Sequence, residues 1–128
     1  MSLAPRQALV LDDSRAMRMI LRRILTELGF DVAEAANGRE GLDRLRALER
    51  VELVLVDWNM PEMDGLEFVK AVRAEPAHDA VLLVMVTTES EMDKMTMALS
   101  AGANEYVMKP FDREIIQGKL ELAGMSGF

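Results

Sequence analysis

The feature that most constrains the fold of this chain is a set of apolar runs that each end abruptly in a polar side chain. The clearest run, Leu53–Val56, has no polar alternation and is followed at once by Asp57. Such a run is typical of a strand that is buried on both faces of a parallel sheet. Pro61 and Gly65 follow shortly afterwards and indicate a turn and then the start of a helix. The sequence therefore predicts a central parallel strand whose carboxyl end carries an aspartate.

Three further apolar runs, at 8–11, 81–86 and 106–108, also end in polar side chains. The ligand crevice of an open α/β sheet lies outside the carboxyl ends of its strands. We therefore expect the residues that follow these runs to share one edge of one sheet. They supply two carboxylates, a hydroxyl and an amine: Asp12, Asp13, Thr87 and Lys109.

Five strand candidates alternate with five helix candidates, a pattern that is typical of an α/β fold with a parallel sheet. The runs at 8–11, 53–56 and 81–86 are continuously apolar, so we predict that they are central strands. The segments at 31–35 and 104–108 carry polar residues and are predicted to be the edge strands. Right-handed crossovers with helices on both faces favour a doubly wound (βα)5 sheet with strand order 2-1-3-4-5.

The helices are predicted from apolar residues at helical spacing and from capping residues that precede them. Asn37, Asp64 and Asp112 are the predicted caps, and the fourth helix is predicted to run from about Ser90 to Ala101. The inward-facing positions predicted for the first, fourth and fifth helices are Met17, Ile20, Leu21, Ile24, Leu25, Leu28, Met92, Met95, Leu99, Ile115, Ile116, Leu120 and Ala123.

Composition excludes several classes of protein and site. The chain has 128 residues, which fits one domain over residues 1–128. Cysteine is absent, so disulfides and thiolate metal sites are excluded. The net charge of −7 argues against nonspecific binding to nucleic acid. No run is long enough to span a membrane and no secretory signal precedes the first strand, so we expect a cytoplasmic protein without membrane insertion.

These residues, in this order, resemble the receiver domain of two-component response regulators, and the chain is most similar to the stand-alone CheY-type proteins. The resemblance spans essentially the whole chain and implies the flavodoxin-like, CheY-like fold. It also implies a phosphorylation-activated, single-domain response regulator without an output domain. The motifs that carry the resemblance are Asp12-Asp13, Asp57-Trp58-Asn59-Met60-Pro61, Met63-Asp64-Gly65, Thr87 and Lys109-Pro110-Phe111.

The resemblance assigns the residues at the strand ends to one site. Asp57 is expected to accept the phosphoryl group, and a carboxylate can do so by forming an acyl phosphate. Crowded carboxylates favour a hard divalent ion, and Mg²⁺ suits a site of carboxylates, water and phosphate. By resemblance, Asp13 and Asp57 ligate Mg²⁺ directly, Asp12 acts largely through water, and the backbone carbonyl of Asn59 is a further ligand. Lys109 is expected to offset phosphoryl charge.

The resemblance also implies a switch and a control of lifetime. Thr87 is expected to donate a hydrogen bond from its hydroxyl to a phosphoryl oxygen. Tyr106 is expected to rotate inward at the same time and to change the surface formed by the fourth helix, fifth strand and fifth helix. Asn59, Thr88 and Glu89 flank the acceptor at positions that tune attack by water. The family also has a cis peptide between the residues at 109 and 110.

The implied partners are a histidine kinase or histidine-phosphotransfer domain and a downstream protein target, with the flagellar motor switch as the favoured target. We expect a monomer that catalyses only its own phosphorylation and dephosphorylation. Arginines at four positions form a basic face on the first helix, which is either a solvated face or a contact for the kinase side: Arg15, Arg18, Arg22 and Arg23.

Several alternatives have sequence features that count for or against them. A small Mg²⁺-dependent aspartyl phosphohydrolase resembling the haloacid dehalogenase group would need a second aspartate at the position of Asn59. A flavodoxin-like nucleotide carrier would need a phosphate-binding loop after the first strand, where Asp12 and Asp13 would repel phosphate. Within the response regulators, a phosphate sink or a phosphorelay intermediate in another pathway remains open.

Overall fold

The computed structural model describes residues 5–88 and 93–128. Within these ranges the strands and helices alternate along the chain, and a short 3-10 turn at Pro76–His78 precedes the fourth strand. No helix in the described part of the chain combines the length and apolar character that crossing a membrane requires. The elements are β1 (Arg6–Leu11), α1 (Arg15–Glu27), β2 (Phe30–Ala35), α2 (Gly38–Ala47), β3 (Val51–Asp57), α3 (Gly65–Arg73), β4 (Leu82–Thr87), α4 (Met95–Ala101), β5 (Glu105–Met108) and α5 (Arg113–Leu122).

The five strands form one parallel sheet in the order β2-β1-β3-β4-β5, so the predicted topology is confirmed. The three continuously apolar strands are central and the two polar strands are the edges, also as predicted. The register pairs Leu11 with Val56, Asp57 with Val86, and Thr87 with Met108. The carboxyl ends of β1, β3, β4 and β5 are therefore aligned, and the residues that follow them meet at one edge.

Side-chain caps begin four of the helices and fix where the chain turns back from the sheet. Ser14, Asn37, Asp64 and Asp112 each accept a hydrogen bond from the backbone N–H three residues later. The predicted cap at Asp64 forms part of a capping box, because Glu67 also accepts a hydrogen bond from the backbone N–H of Asp64. A cap of this kind stabilises a helix by about 1 kcal/mol.

Helices cover both faces of the sheet, and alternate residues of each central strand point into different cores. Leu9 and Leu11 of β1 face the core that also contains Phe68 of α3. Ala8 and Val10 of β1 face the other core, which α1 and α5 close. Burial on both faces is the physical reason that residues 8–11 of β1, 53–56 of β3 and 82–86 of β4 are all apolar.

Three predicted core positions are wrong. Ile20, Leu99 and Ile115 are 49%, 45% and 44% exposed. Each adjoins a buried residue of the same helix, about 100° further round it, and a helix lying on a sheet buries only a narrow strip. Met95 is buried as predicted, whereas the predicted start of α4 near Ser90 and the core position of Met92 lie outside the described residues.

Candidate functional site

The carboxyl edge of the sheet brings together three carboxylates and one amine, which we call the acid pocket: Asp12, Asp13, Asp57 and Lys109. One carboxylate oxygen from each aspartate lies within 4.8 Å of those of the other two. Asp12 and Asp57 are buried, with 1% and 8% of their surface exposed, while Asp13 is exposed. The pocket therefore holds two buried acids at its base and one acid at its rim.

Lys109 reaches the acid pocket from the end of β5. Its Nζ lies 3.4 Å from Asp57 Oδ1 and 3.7 Å from Asp12 Oδ2. Its backbone N–H donates to the carbonyl of Thr87 at 2.7 Å, and its peptide bond to Pro110 is cis. One ammonium group thus faces two buried carboxylates, which leaves the pocket with an excess of negative charge.

That excess changes the protonation of the buried acids. Burial, and then the charge of Asp12, raise the pKa of Asp57 to about 6, although Lys109 acts against them. Burial also raises the pKa of Asp12, opposed by its hydrogen bond from the backbone of Ser14 and by Lys109. Both carboxylates are therefore costly to ionise in the absence of a further cation.

The pocket has the chemistry of a hard-cation site. Asp12 Oδ2 is buried and accepts no hydrogen bond from any residue that the structure describes, because its contact with Lys109, at 3.7 Å, is too long to be one. A buried carboxylate oxygen without a hydrogen bond is rare in native proteins, and a bound cation would satisfy it. Mg²⁺ takes oxygen ligands, so the three aspartates fit this ion.

Three hydrogen bonds fix the segment that carries Asp12 and Asp13. The backbone N–H of Asp12 donates to the carbonyl of Ala35 at 3.2 Å, and the N–H of Ser14 donates to Asp12 Oδ1 at 2.8 Å. The guanidinium of Arg18 donates to the carbonyl of Asp12 at 2.7 Å. The sequence predicted only a basic face here, because helical spacing cannot show that a side chain folds back onto the preceding loop.

The turn after Asp57 depends on a glycine whose packing role the sequence did not reveal. The N–H of Gly65 donates to the carbonyl of Trp58 at 2.8 Å. A Cβ atom at Gly65 would lie 2.5 Å from the carbonyl oxygen of Asp57. Gly65 was predicted only to begin a helix, which it does, but it also lets α3 approach the strand that ends in the buried acid.

An open cleft adjoins the acid pocket. It has a volume of about 470 Å³ and is lined by Asp13, Asn59, Met60, Pro61 and Asp64. Asn59 is exposed there, directly after the buried Trp58. The cleft gives small solutes and ions a route to the one exposed carboxylate of the pocket.

The predicted switch residues lie on neighbouring strands. Thr87 is fully buried at the end of β4, and its hydroxyl donates to the carbonyl of Thr88 at 3.2 Å. Tyr106 on β5 is half-buried, and the Nζ of Lys119 lies 4.1 Å from the centre of its ring. Lys119 itself contacts Glu105 Oε1 at 3.4 Å, a pairing that sequence reasoning missed because the two residues lie on different elements.

Of the residues predicted to tune the lifetime of the phosphorylated form, Asn59 lines the cleft beside Asp13, and Thr88 directly follows β4. Glu89 lies outside the described residues. The basic face of α1 is not wholly solvated, because Arg18 and Arg22 both pair with Glu34 of β2, at 3.1 and 2.8 Å.

Known proteins are similar to this chain in sequence and in fold. The family model of the response regulator receiver domain matches residues 8–121. A chemotaxis protein CheY homolog of Campylobacter jejuni is 48% identical over 114 residues, which cover 88% of each chain. Chemotaxis protein CheY1 of Helicobacter pylori is 43% identical over 115 residues, 89% of this chain and 93% of that one.

The structural comparison agrees with the sequence comparison. The solved structure of the chemotaxis response regulator CheY4 of Vibrio cholerae matches with a TM-score of 0.86 at 33% identity, covering 94% of this chain and 99% of that chain. The acid pocket, the parallel five-stranded sheet and the similarity to these relatives all indicate the same family. The chain therefore belongs to the response regulator receiver domain family and is a response regulator of the CheY type.

Proposed function

We propose that this chain accepts a phosphoryl group on Asp57 from a histidine kinase and signals through a change of its surface. The observation that carries the proposal is the position of Asp57. It is a buried carboxylate at the end of a central strand, within 4.8 Å of two further carboxylates and 3.4 Å from the amine of Lys109. A nucleophile, a cation-binding set of acids and a fixed positive charge are the groups that phosphoryl transfer to an aspartate requires.

In this proposal Asp12, Asp13 and Asp57, with the backbone carbonyl of Asn59, hold Mg²⁺. The residues fit the ion because the buried oxygen of Asp12 accepts no hydrogen bond within residues 5–88 and 93–128, and because both buried acids have raised pKa values. When bound, Mg²⁺ supplies positive charge that makes the ionised carboxylates and the phosphoryl oxygens compatible in one pocket.

Three residues of the protein have separate roles in the phosphoryl transfer. The ionised carboxylate of Asp57 attacks phosphorus, an acyl phosphate bond forms, and the bond from phosphorus to the donor breaks with its electron pair leaving on the donor. Lys109 neutralises charge on the phosphoryl oxygens, which is a large part of catalysis in this reaction. Thr87 would exchange its present hydrogen bond to the carbonyl of Thr88 for one to a phosphoryl oxygen.

The output follows from the neighbouring strand. Movement of Thr87 would open space toward which Tyr106 turns, and phosphorylation would then favour one of two packings of α4, β5 and α5. The relatives named for chemotaxis support a role in control of the flagellar motor. Asn59, Thr88 and Glu89 would set the rate at which water removes the group.

The remaining parts of the proposal concern the whole protein. Residues 1–128 form a single receiver domain, of which the family model matches residues 8–121. The protein works as a monomer in the cytoplasm and acts on no substrate other than its own phosphoryl group.

The test is phosphorylation by a small donor, followed by intact mass. We would incubate the protein with acetyl phosphate and Mg²⁺, beside the variants Asp57→Asn and Asp43→Asn. Asp43 is a matched control because it is an aspartate on α2 whose side chain is 74% exposed. We expect one labile phosphoryl group in the parent and in Asp43→Asn, which is not gained when Mg²⁺ is chelated before the donor is added, and none in Asp57→Asn. Addition to Asp57→Asn, or addition that does not need Mg²⁺, would contradict the proposal.

A further inference from the structure

We propose that Arg18 is a positioning residue for the cation site: its guanidinium holds the peptide that joins Asp12 to Asp13 and thereby fixes where Asp13 presents its carboxylate. The inference rests on the proposed function, because the ion in question is the Mg²⁺ assigned to the acid pocket. It concerns a residue that lies outside the pocket and touches none of the three carboxylates that would bind the ion.

The contact is specific and well supported. Arg18 Nη1 donates to the carbonyl of Asp12 at 2.7 Å, and this carbonyl belongs to the peptide bond that leads into Asp13. The Nε of the same guanidinium donates to Glu34 Oε1 at 3.1 Å. The side chain of Arg18 is 16% exposed. A hydrogen bond from a charged group is stronger than a neutral one, so it can hold this peptide in one orientation.

Glu34 fixes the guanidinium from the side of the sheet. Glu34 is the residue before the last of β2, and its partner in the register with β1 is Val10. Burial is the largest single influence on the pKa of Glu34 and raises it, but the hydrogen bonds and charges of Arg22 and Arg18 together outweigh burial and lower the pKa. The carboxylate therefore stays ionised at neutral pH. The planar guanidinium can therefore bridge a strand carboxylate and a loop carbonyl at once, which a lysine ammonium could not do with the same geometry.

Helix geometry explains why only one of the two neighbouring arginines has this role. Side chains of a helix point back toward its N-terminus, so Arg18, in the first turn of α1, reaches the loop that precedes the helix. Arg22 stands one turn later, is 55% exposed, and donates to Glu34 Oε2 at 2.8 Å. It shares the carboxylate partner of Arg18, but among the described residues it does not share the hydrogen bond to Asp12.

The direction in which Mg²⁺ affinity changes when Arg18 is removed distinguishes a positioning role from a purely electrostatic one. A positive side chain near a cation site repels the cation, so removal of Arg18 as a charge alone would strengthen Mg²⁺ binding. If Arg18 instead orients Asp13, its removal frees the peptide between two ligands and weakens Mg²⁺ binding. Arg22→Gln removes an equal charge from the same helix and also removes an ion pair to Glu34, but it leaves the hydrogen bond to the carbonyl of Asp12 in place.

The experiment is calorimetric titration of Mg²⁺ into the unphosphorylated parent, Arg18→Gln, Arg18→Lys and Arg22→Gln, with urea unfolding of each. We expect the dissociation constant of Arg18→Gln to rise about 10-fold, as it does on loss of groups that orient metal ligands. Arg18→Lys, which keeps the charge but not the planar fork, should also bind more weakly than the parent. Arg22→Gln should bind as well as the parent or better, although it loses an ion pair to Glu34 as Arg18→Gln does.

A second readout is the rate of phosphorylation by acetyl phosphate. At limiting Mg²⁺ the phosphorylation rate of Arg18→Gln should be far below that of the parent. The difference between the two rates should shrink when Mg²⁺ is saturating, because the carboxylates themselves are intact. Equal loss of affinity in Arg18→Gln and Arg22→Gln, tighter binding by Arg18→Gln, or parent affinity in Arg18→Lys would overturn the inference. Absence of Mg²⁺ binding in the parent would instead refute the proposed cation site itself.

Discussion

Replacing Asp57 by asparagine should make the metal-free protein more stable at neutral pH, although it removes the residue on which the proposed function depends. The carboxylate is 8% exposed and faces the negative charge of Asp12, and these two conditions raise its pKa from 3.8 to about 6. An amide has nearly the same shape and no charge. The substitution therefore removes the free-energy cost of burying an ionised carboxylate, a cost that is present in the folded protein and absent from the unfolded chain.

The size and pH range of the effect follow from linkage. The folded pKa of Asp57 lies above the unfolded value, so the folded state holds the proton more tightly between about pH 4 and pH 6. Stability from this group is therefore lost as the pH rises through that interval, and the full cost is present at pH 7. The difference corresponds to about 3 kcal/mol at 1.36 kcal/mol for each pKa unit, of which we expect about 2 kcal/mol because the buried amide has its own cost.

Urea unfolding in a chelating buffer measures this effect. At pH 7.5 the midpoint of Asp57→Asn should lie about 1 M above that of the parent, with an unchanged slope. The gap should close as the pH falls toward 4, and Mg²⁺ should stabilise the parent more than the variant. Asp43→Asn serves as the control and should match the parent at every pH. A variant that is no more stable than the parent at pH 7.5, or a gap that does not change with pH, would refute the electrostatic argument.

Three substitutions test the local structure by the same urea titration. Gly65→Ala should destabilise by about 2 kcal/mol, since its Cβ would lie 2.5 Å from the carbonyl oxygen of Asp57; a neutral result would show that α3 moves away easily. Gly118→Ala should stabilise by up to about 1 kcal/mol, because a Cβ there, in the middle of α5, meets no atom of the described residues within 4 Å, and a loss would contradict this. Asp64→Ala should cost about 1 kcal/mol through loss of the capping box with Glu67, and an unchanged midpoint would mean that the cap does not contribute.

Much of the fold could be predicted from the sequence because it depends on patterns that are local. The apolar run before Asp57 predicted a strand buried on both faces, and the polar residues of β2 and β5 favoured positions at the edges. The caps at Asp64 and Asp112 were predicted for the same reason, since a cap joins residues three apart in the chain. The helix faces were predicted less well, as exposed Ile20 shows, because spacing gives the direction of a face but not its width.

The acid pocket could be predicted as a set of residues but not as a geometry. Parallel strands whose carboxyl ends are aligned must bring Asp57 and Lys109 to one edge, and the sequence fixes which residues follow each strand. The distances between these groups and the pKa of about 6 at Asp57 depend on burial by the whole fold. No pattern of residue types contains that burial.

The sequence by itself thus determined the order of the elements, the strands at the centre and edges of the sheet, and the residues at its carboxyl edge. It did so because hydrophobic period, capping and strand ends are properties of neighbouring residues. Only the tertiary structure decided that Arg18 folds back onto the carbonyl of Asp12, that Gly65 packs against the carbonyl of Asp57, and that Lys119 covers the ring of Tyr106. These contacts join residues on different elements, and their geometry exists only once the helices have packed on the sheet.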